Sequence, residues 1–269
     1  MRKTLFASVA AGALLAAFAA APASAVEDGK SDLAVLHGIP DLTVDVYVNG
    51  ALTLDDFAPG DLAGPLSLDP GTYTVAITAA DAADDSAPVL GPVDIDLEAD
   101  MSYTAVAHLT EAGDPTVSLF ANDISAADSG NGRLTVRHVA AAPAVDVLAS
   151  GDALFEGLTN PNEVMADVPA DTYSAAVALA GTTEPVLGPA DVEVQEGVNT
   201  IVYAWGSAED ANLALAVQSV DLTMAAPDGV AAGTAGLADE QGAPIALLIA
   251  AALAIVAAAV AVRVAATRK

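Results

Sequence analysis

Two histidine–aspartate pairs are the residues here whose types and repetition could do chemistry: His37 with Asp45, and His138 with Asp146. An imidazole oriented by a carboxylate can act as a base or as a metal ligand. Both histidines end an apolar run, Leu33-Ala-Val-Leu-His37 and Leu134-Thr-Val-Arg-His138. In the second run Leu134, Val136 and His138 share one face, while Thr135 and Arg137 take the other. A histidine at the core end of a strand favours a structural hydrogen bond to its aspartate, and His37, Asp45, His138 and Asp146 are read that way. Nucleophilic catalysis lacks its parts. There is no cysteine and no G-x-S-x-G, and the third histidine, His108, aligns with Trp205 in the repeat described below. No catalytic, cofactor-binding or metal-ligating residue is therefore assigned, no cofactor is expected, and the chain is read as a non-enzyme. Calcium has hard oxygen donors available in Asp55-Asp56, Asp84-Asp85 and Asp94-x-Asp96, without the spacing of an EF-hand loop. Tyr47, Tyr73 and Trp205 could stack on a sugar, although tyrosines on strands more often pack or pair across strands.

These side chains sit in a sequence that repeats itself. Leu33 to Gly50 aligns without a gap on Leu134 to Gly151. Pro70-Gly71-Thr72-Tyr73 returns as Pro169-Ala170-Asp171-Thr172-Tyr173, and Val89-Leu90-Gly91-Pro92 as Val186-Leu187-Gly188-Pro189. Within each copy the period is two: Val44, Val46 and Val48, then Tyr73, Val75 and Ile77, then Val93, Ile95 and Leu97. Asn49-Gly50, Asp69-Pro70-Gly71 and Gly91-Pro92 punctuate these runs as turns. Further strands are predicted over Tyr103 to Leu109 and Thr116 to Ala121. Short strands with turns between them predict an all-β fold of two tandem antiparallel β-sandwich (immunoglobulin-like) domains.

The two ends differ from the middle. Residues 1–25 read as a signal peptide: Arg2 and Lys3, an apolar stretch, the breaker Pro22, and the small residues Ala23-Ser24-Ala25 at the cleavage site. Ile245 to Val262 is apolar throughout and is followed by Arg263, Arg268 and Lys269. This predicts a transmembrane helix over 243–263 and a cytoplasmic basic tail over 264–269. The residues before it, Gly236 to Gly242, do not match a sortase motif. Between the two ends lie the repeats, at 26–123 and 133–220, with a linker at 124–132 and a flexible acidic linker at 221–242. All 36 acidic residues of the chain fall between Val26 and Gly242, against only Lys30, Arg133 and Arg137. A surface so acidic excludes nucleic acid as a partner and keeps the repeats soluble.

At His37, Pro40-Asp41, Val44-Asp45-Val46-Tyr47-Val48-Asn49-Gly50, Pro70-Gly71-Thr72-Tyr73 and Tyr103-Thr104-Ala105-Val106-Ala107 the chain resembles the domain-of-unknown-function 4397 family. The second copy keeps His138, Pro143, Val145-Asp146-Val147 and Thr172-Tyr173. It departs at Leu148, Ser150 and Thr200. The resemblance implies a β-sandwich and a surface location, and no activity. The function expected is a non-enzymatic cell-surface structural or interaction module on a single membrane anchor. Its partner would be an extracellular ligand or envelope component. The alternatives are a carbohydrate- or calcium-binding adhesin-like protein and, behind it, a secreted hydrolase.

Overall fold

The structure, a computed structural model, describes residues 26–223. The expected signal peptide (1–25) and transmembrane helix (243–263) lie outside them, as does most of the 221–242 linker. No helix among the described residues is long and apolar enough to cross a membrane.

The described residues form sixteen strands. The first repeat holds β1 (Ser31–His37), β2 (Val44–Val48), β3 (Ala51–Phe57), β4 (Leu62–Leu68), β5 (Gly71–Ala79), β6 (Leu90–Leu97), β7 (Met101–Leu109) and β8 (Pro115–Asn122). The second holds β9 (Asn131–Ala141), β10 (Val145–Ala149), β11 (Asp152–Leu158), β12 (Glu163–Pro169), β13 (Asp171–Leu179), β14 (Pro185–Val194), β15 (Val198–Ser207) and β16 (Ala214–Asp221). They build four four-stranded sheets with the same order twice: β4-β1-β7-β8 and β3-β2-β5-β6, then β12-β9-β15-β16 and β11-β10-β13-β14.

The predicted local signals form as the residues dictate. Asn49 (φ 52°) and Gly50 (φ 78°) make the two-residue turn between β2 and β3, where both positions need positive φ. Ser150 and Gly151 do the same between β10 and β11. The repeated Leu-Gly-Pro has a backbone reason as well. Gly91 (φ 94°) and Gly188 (φ 90°) stand where a Cβ would lie 2.7 Å from the Val75 carbonyl oxygen and 2.8 Å from that of Ala175. Both mark a register shift, against Val75/Ile77 and Ala175/Val177.

Each repeat has a sandwich-like interior. Leu33, Val44, Val46, Phe57, Ile77, Ile95 and Tyr103 of both sheets share one buried cluster in the first, and Leu134, Val136, Val145, Val147, Val192 and Val202 share one in the second. One expectation needs correction, because the sheets are not wholly antiparallel. β1 pairs parallel with β7, and β9 parallel with β15. Five strands separate the members of each pair, and the chain crosses to the other sheet and back twice between them. That leaves the first and seventh strands pointing the same way.

A third buried cluster joins the repeats. Leu36, Val106 and Phe120 of the first pack against Val139, Ile201, Tyr203 and Val220 of the second. The sheets containing β1 and β9 therefore meet face to face, and all the described strands fall within one compact unit. This explains why β7 and β9 are buried on both faces, Thr135 and Arg137 included.

Candidate functional site

The histidine–aspartate pairs do not form. β1 and β2 belong to different sheets, as do β9 and β10, so no ladder brings the two side chains together. All four are nonetheless buried. His37 Nε2–H donates to the Leu42 carbonyl at 2.6 Å, and His138 Nε2–H donates to that of Pro143 at 3.0 Å. Each imidazole thus ties down the loop that leaves its own strand. Asp45 accepts from the Asp56 amide at 2.9 Å. Asp146 accepts from the amides of Gly157 and Gly181, both at 2.7 Å. The carboxylates anchor the hairpins of the outer sheets, and the imidazoles anchor the crossovers. Because a carbonyl only accepts, a hydrogen sits on each Nε2, and His138 Nδ1 accepts from the Ala140 amide at 3.4 Å, which makes that ring neutral. Burial away from water holds both histidines below the ordinary imidazole value.

His108 is the histidine with a nucleophile beside it. Its Nδ1–H donates to the Leu109 carbonyl at 2.9 Å, and its Nε2 lies 2.8 Å from the Ser118 hydroxyl. A serine within reach of an oriented base is the start of a catalytic dyad. Here the ring is completely buried and burial depresses its basicity. Neither of the two cavities below is lined by His108 or Ser118. The sequence offered no sign of Ser118, since the pairing depends on the β7–β8 register that sets Val106 opposite it.

The calcium candidates separate by environment. Asp94 and Asp96 accept from Thr74 and Thr72 across the β5–β6 ladder, at 2.7 and 2.5 Å. Asp84 accepts from the Ser86 amide at 3.0 Å, and hydrogen bonds from Ser86 hold its carboxyl below the usual range. Asp45, Asp55 and Asp56 bring their carboxylate oxygens within 4.8 Å of one another. Asp56 adopts a left-handed φ of 52°, and its counterpart in the second repeat is Gly157 at φ 67°. Asp56→Gly is expected to stabilise the fold by roughly 0.5–1 kcal/mol, by relieving backbone strain and like-charge repulsion. The increase should be the same in calcium-free buffer and in millimolar calcium. A variant that instead lowers the melting temperature only when calcium is present would assign the three carboxylates to a cation.

Tyr47, Tyr73 and Trp205 do not share a platform. Tyr47 is buried on β2, and the Tyr73 hydroxyl donates to the Asp69 carbonyl at 2.8 Å. Tyr173 repeats that bond to Pro169 at 2.8 Å, so the Pro-to-Tyr motif is a strand-entry clasp. Trp205, on β15 of the second repeat, packs over the first. Its ring lies so close to Gly60 that a Cβ there would fall 2.9 Å from Cζ2, and its own Cβ lies beside Gly38.

The densest polar chemistry lies in the seam between the repeats. Arg137, only 1% exposed, donates through Nε to Glu163 at 2.7 Å and through Nη1 to the Tyr203 hydroxyl at 2.7 Å. The Tyr203 hydroxyl donates to Gln218 Oε1 at 2.5 Å, and Thr104 of the first repeat donates to the same oxygen at 3.0 Å. The Arg137 guanidinium also lies 4.5 Å from the ring centre of Phe120, across the seam. Burial pushes the Tyr203 hydroxyl above its ordinary value, against the opposing pull of Arg137. Corresponding strand positions are complementary. Leu36 occupies the place of Arg137 and Val106 that of Tyr203, while Phe120 opposes Gln218 in the alignment of β8 on β16.

Two cavities accompany these features. An apolar crevice of ≈ 20 Å³ lies in the second repeat, lined by Leu148, Tyr173 and Val177 among others. One of ≈ 40 Å³ lies at the edge of the seam, between Asp32, Ser102, Gln218 and Asp221. Both are far smaller than the ~300–1,000 Å³ of organic-ligand pockets.

Residues 31–148 match the sequence model of a family described as "Domain of unknown function (DUF4397)", the family that the motifs resemble. The match covers the strands of the first repeat and continues through β9 into β10. No curated protein matches the chain.

Proposed function

We propose that this chain, a member of the DUF4397 family over residues 31–148, is an exported, single-pass cell-surface module that acts by presenting a rigid acidic body, without catalysis. Its two sandwich-like repeats are the presented part. The signal peptide at 1–25 directs export, and the helix at 243–263 anchors the chain with its basic tail inside. The observation that carries this reading is the seam. Two repeats that share a buried Arg137–Tyr203–Gln218–Thr104 network and a third apolar cluster keep one fixed orientation, which suits display and spacing. The small cavities and the scarcity of bases favour contacts made by the outer surface, with a cationic or neutral envelope component as the complementary partner.

The test is protease shaving of intact bacterial cells expressing the full chain. Fragments from residues 26–242 should appear in the supernatant, while the C-terminal tail stays with the membrane fraction. An intact, protease-resistant chain inside the cell would sink the proposal.

A further inference from the structure

Asp32 is a largely buried residue whose carboxylate has no partner among the described residues. It is 8% exposed, and no described residue donates a hydrogen bond to it or forms an ion pair with it. The second repeat shows what this strand position ordinarily requires. Its counterpart there is Arg133, whose charge is met by Asp167 at 2.8 Å and Asp123 at 2.9 Å. In the first repeat the charge is reversed, and no counter-charge meets it among the described residues. Asp32 lines the ≈ 40 Å³ cavity at the seam edge, together with Ser102, Gln218, Ser219 and Asp221. That is room for a group the size of a water molecule or an ammonium. Among the described residues two carboxylates line it and no basic side chain does.

Val26 lines the same cavity. The segment that carries it is fixed. The Lys30 amide donates to the Glu27 carbonyl at 2.9 Å, and this turn folds Val26 back beside β1. The Gly29 amide donates to Asp100 at 2.7 Å, and Lys30 pairs with Asp69 at 2.7 Å. Val26 is also the residue that follows the Ala23-Ser24-Ala25 cleavage site.

We infer that the cavity is the seat of the mature N-terminus: once the signal peptide is removed, the Val26 α-ammonium enters it and pairs with Asp32. The inference rests on the export reading above. The covalent step is hydrolysis of the Ala25–Val26 amide by a membrane signal peptidase. Water adds across the C–N bond, leaving a carboxylate on Ala25 and a protonated amine on Val26. Before cleavage the Val26 nitrogen is a neutral amide and Asp32 stays unmatched. Afterwards the new charge meets it, with the Ser102 hydroxyl and the Gln218 side chain alongside. Burial already pushes the Asp32 carboxyl above its ordinary value, with Glu27 adding to the rise, as suits a carboxylate awaiting a cation. The cavity bridges β1 and β4 of the first repeat and β16 of the second, so processing would complete the seam itself.

The test uses the full chain in four forms: processed or held unprocessed by Ala25→Leu, each with and without Asp32→Asn. Intact mass reports whether the chain begins at Val26. Melting and the rate of α-amine modification by an acylating reagent at neutral pH report the pairing. The processed chain should melt about 5 °C above the unprocessed one, and Asp32→Asn should erase that gap. Its α-amine should react about tenfold more slowly than that of the processed Asp32→Asn form. Equal melting of processed and unprocessed wild-type chains would overturn the inference and leave export intact, and it needs no variant of Asp32. Equal amine reactivity with and without Asp32→Asn would overturn it as well. A mass showing no cleavage at Ala25 would overturn the export reading and this inference together.

Discussion

Arg137→Ala should cost about 3–5 kcal/mol of stability, the largest loss expected from any single substitution in the seam. The guanidinium is enclosed by Glu163, the Tyr203 hydroxyl and the Phe120 ring. Alanine leaves a half-buried carboxylate and a phenol oxygen short of a donor, together with a void beside Phe120. Chemical denaturation followed by circular dichroism measures the loss. Arg137→Leu combined with Glu163→Leu should recover much of it, because an apolar pair leaves no buried charge behind, and Leu36 already fills the matching position in the first repeat. A cost below about 1 kcal/mol for Arg137→Ala would mean that the network does not hold the repeats together.

The second large effect concerns His37 and His138. Either histidine replaced by alanine should lower stability by about 2–3 kcal/mol, since each removes a buried ring and strands a loop carbonyl. The same residues set a pH dependence. In the unfolded chain a histidine titrates near the ordinary value of 6.5, whereas burial holds His37, His108 and His138 below it in the folded state. As pH falls the unfolded chain takes up protons first. The stability these rings contribute is therefore fully present above pH ~6.5 and is lost as pH falls through that value towards their folded ones. Asp32, pushed up by burial, works in the opposite direction. The histidine contribution is thus read as the difference in slope between the wild type and His37→Ala or His138→Ala, from pH 7.5 to 5.5. A wild-type slope no steeper than that of either variant would contradict the assignment.

Much of the architecture was legible in the residues. Alternation at Val44, Val46 and Val48 and the Asn49-Gly50 turn fix a hairpin locally, and the repeated motifs announce that the fold occurs twice. The parallel β1–β7 pairing was not legible, because it joins strands about seventy residues apart and no local pattern encodes it. Nor was the seam. A period of two assigns Thr135 and Arg137 to the face opposite Leu134, but it does not say what covers that face. Here the first repeat covers it, so residues of surface type are buried. The histidine–aspartate pairs fail for a related reason. Their spacing suggested neighbouring strands, while the chain changes sheet between His37 and Asp45, and each side chain finds a backbone partner instead.

The fixed orientation of the repeats supports the whole functional proposal, and one residue reports on it directly. Trp205 is the only tryptophan in the chain, and it belongs to the second repeat while packing on Gly38 and Gly60 of the first. Equilibrium unfolding of the full chain should therefore be followed at once by Trp205 fluorescence, for the seam, and by far-ultraviolet circular dichroism, for all sixteen strands. The two signals should change together in a single transition with the same midpoint. Loss of the Trp205 signal well before the strands melt, or two separate transitions, would contradict a single rigid body and leave the repeats as independent beads.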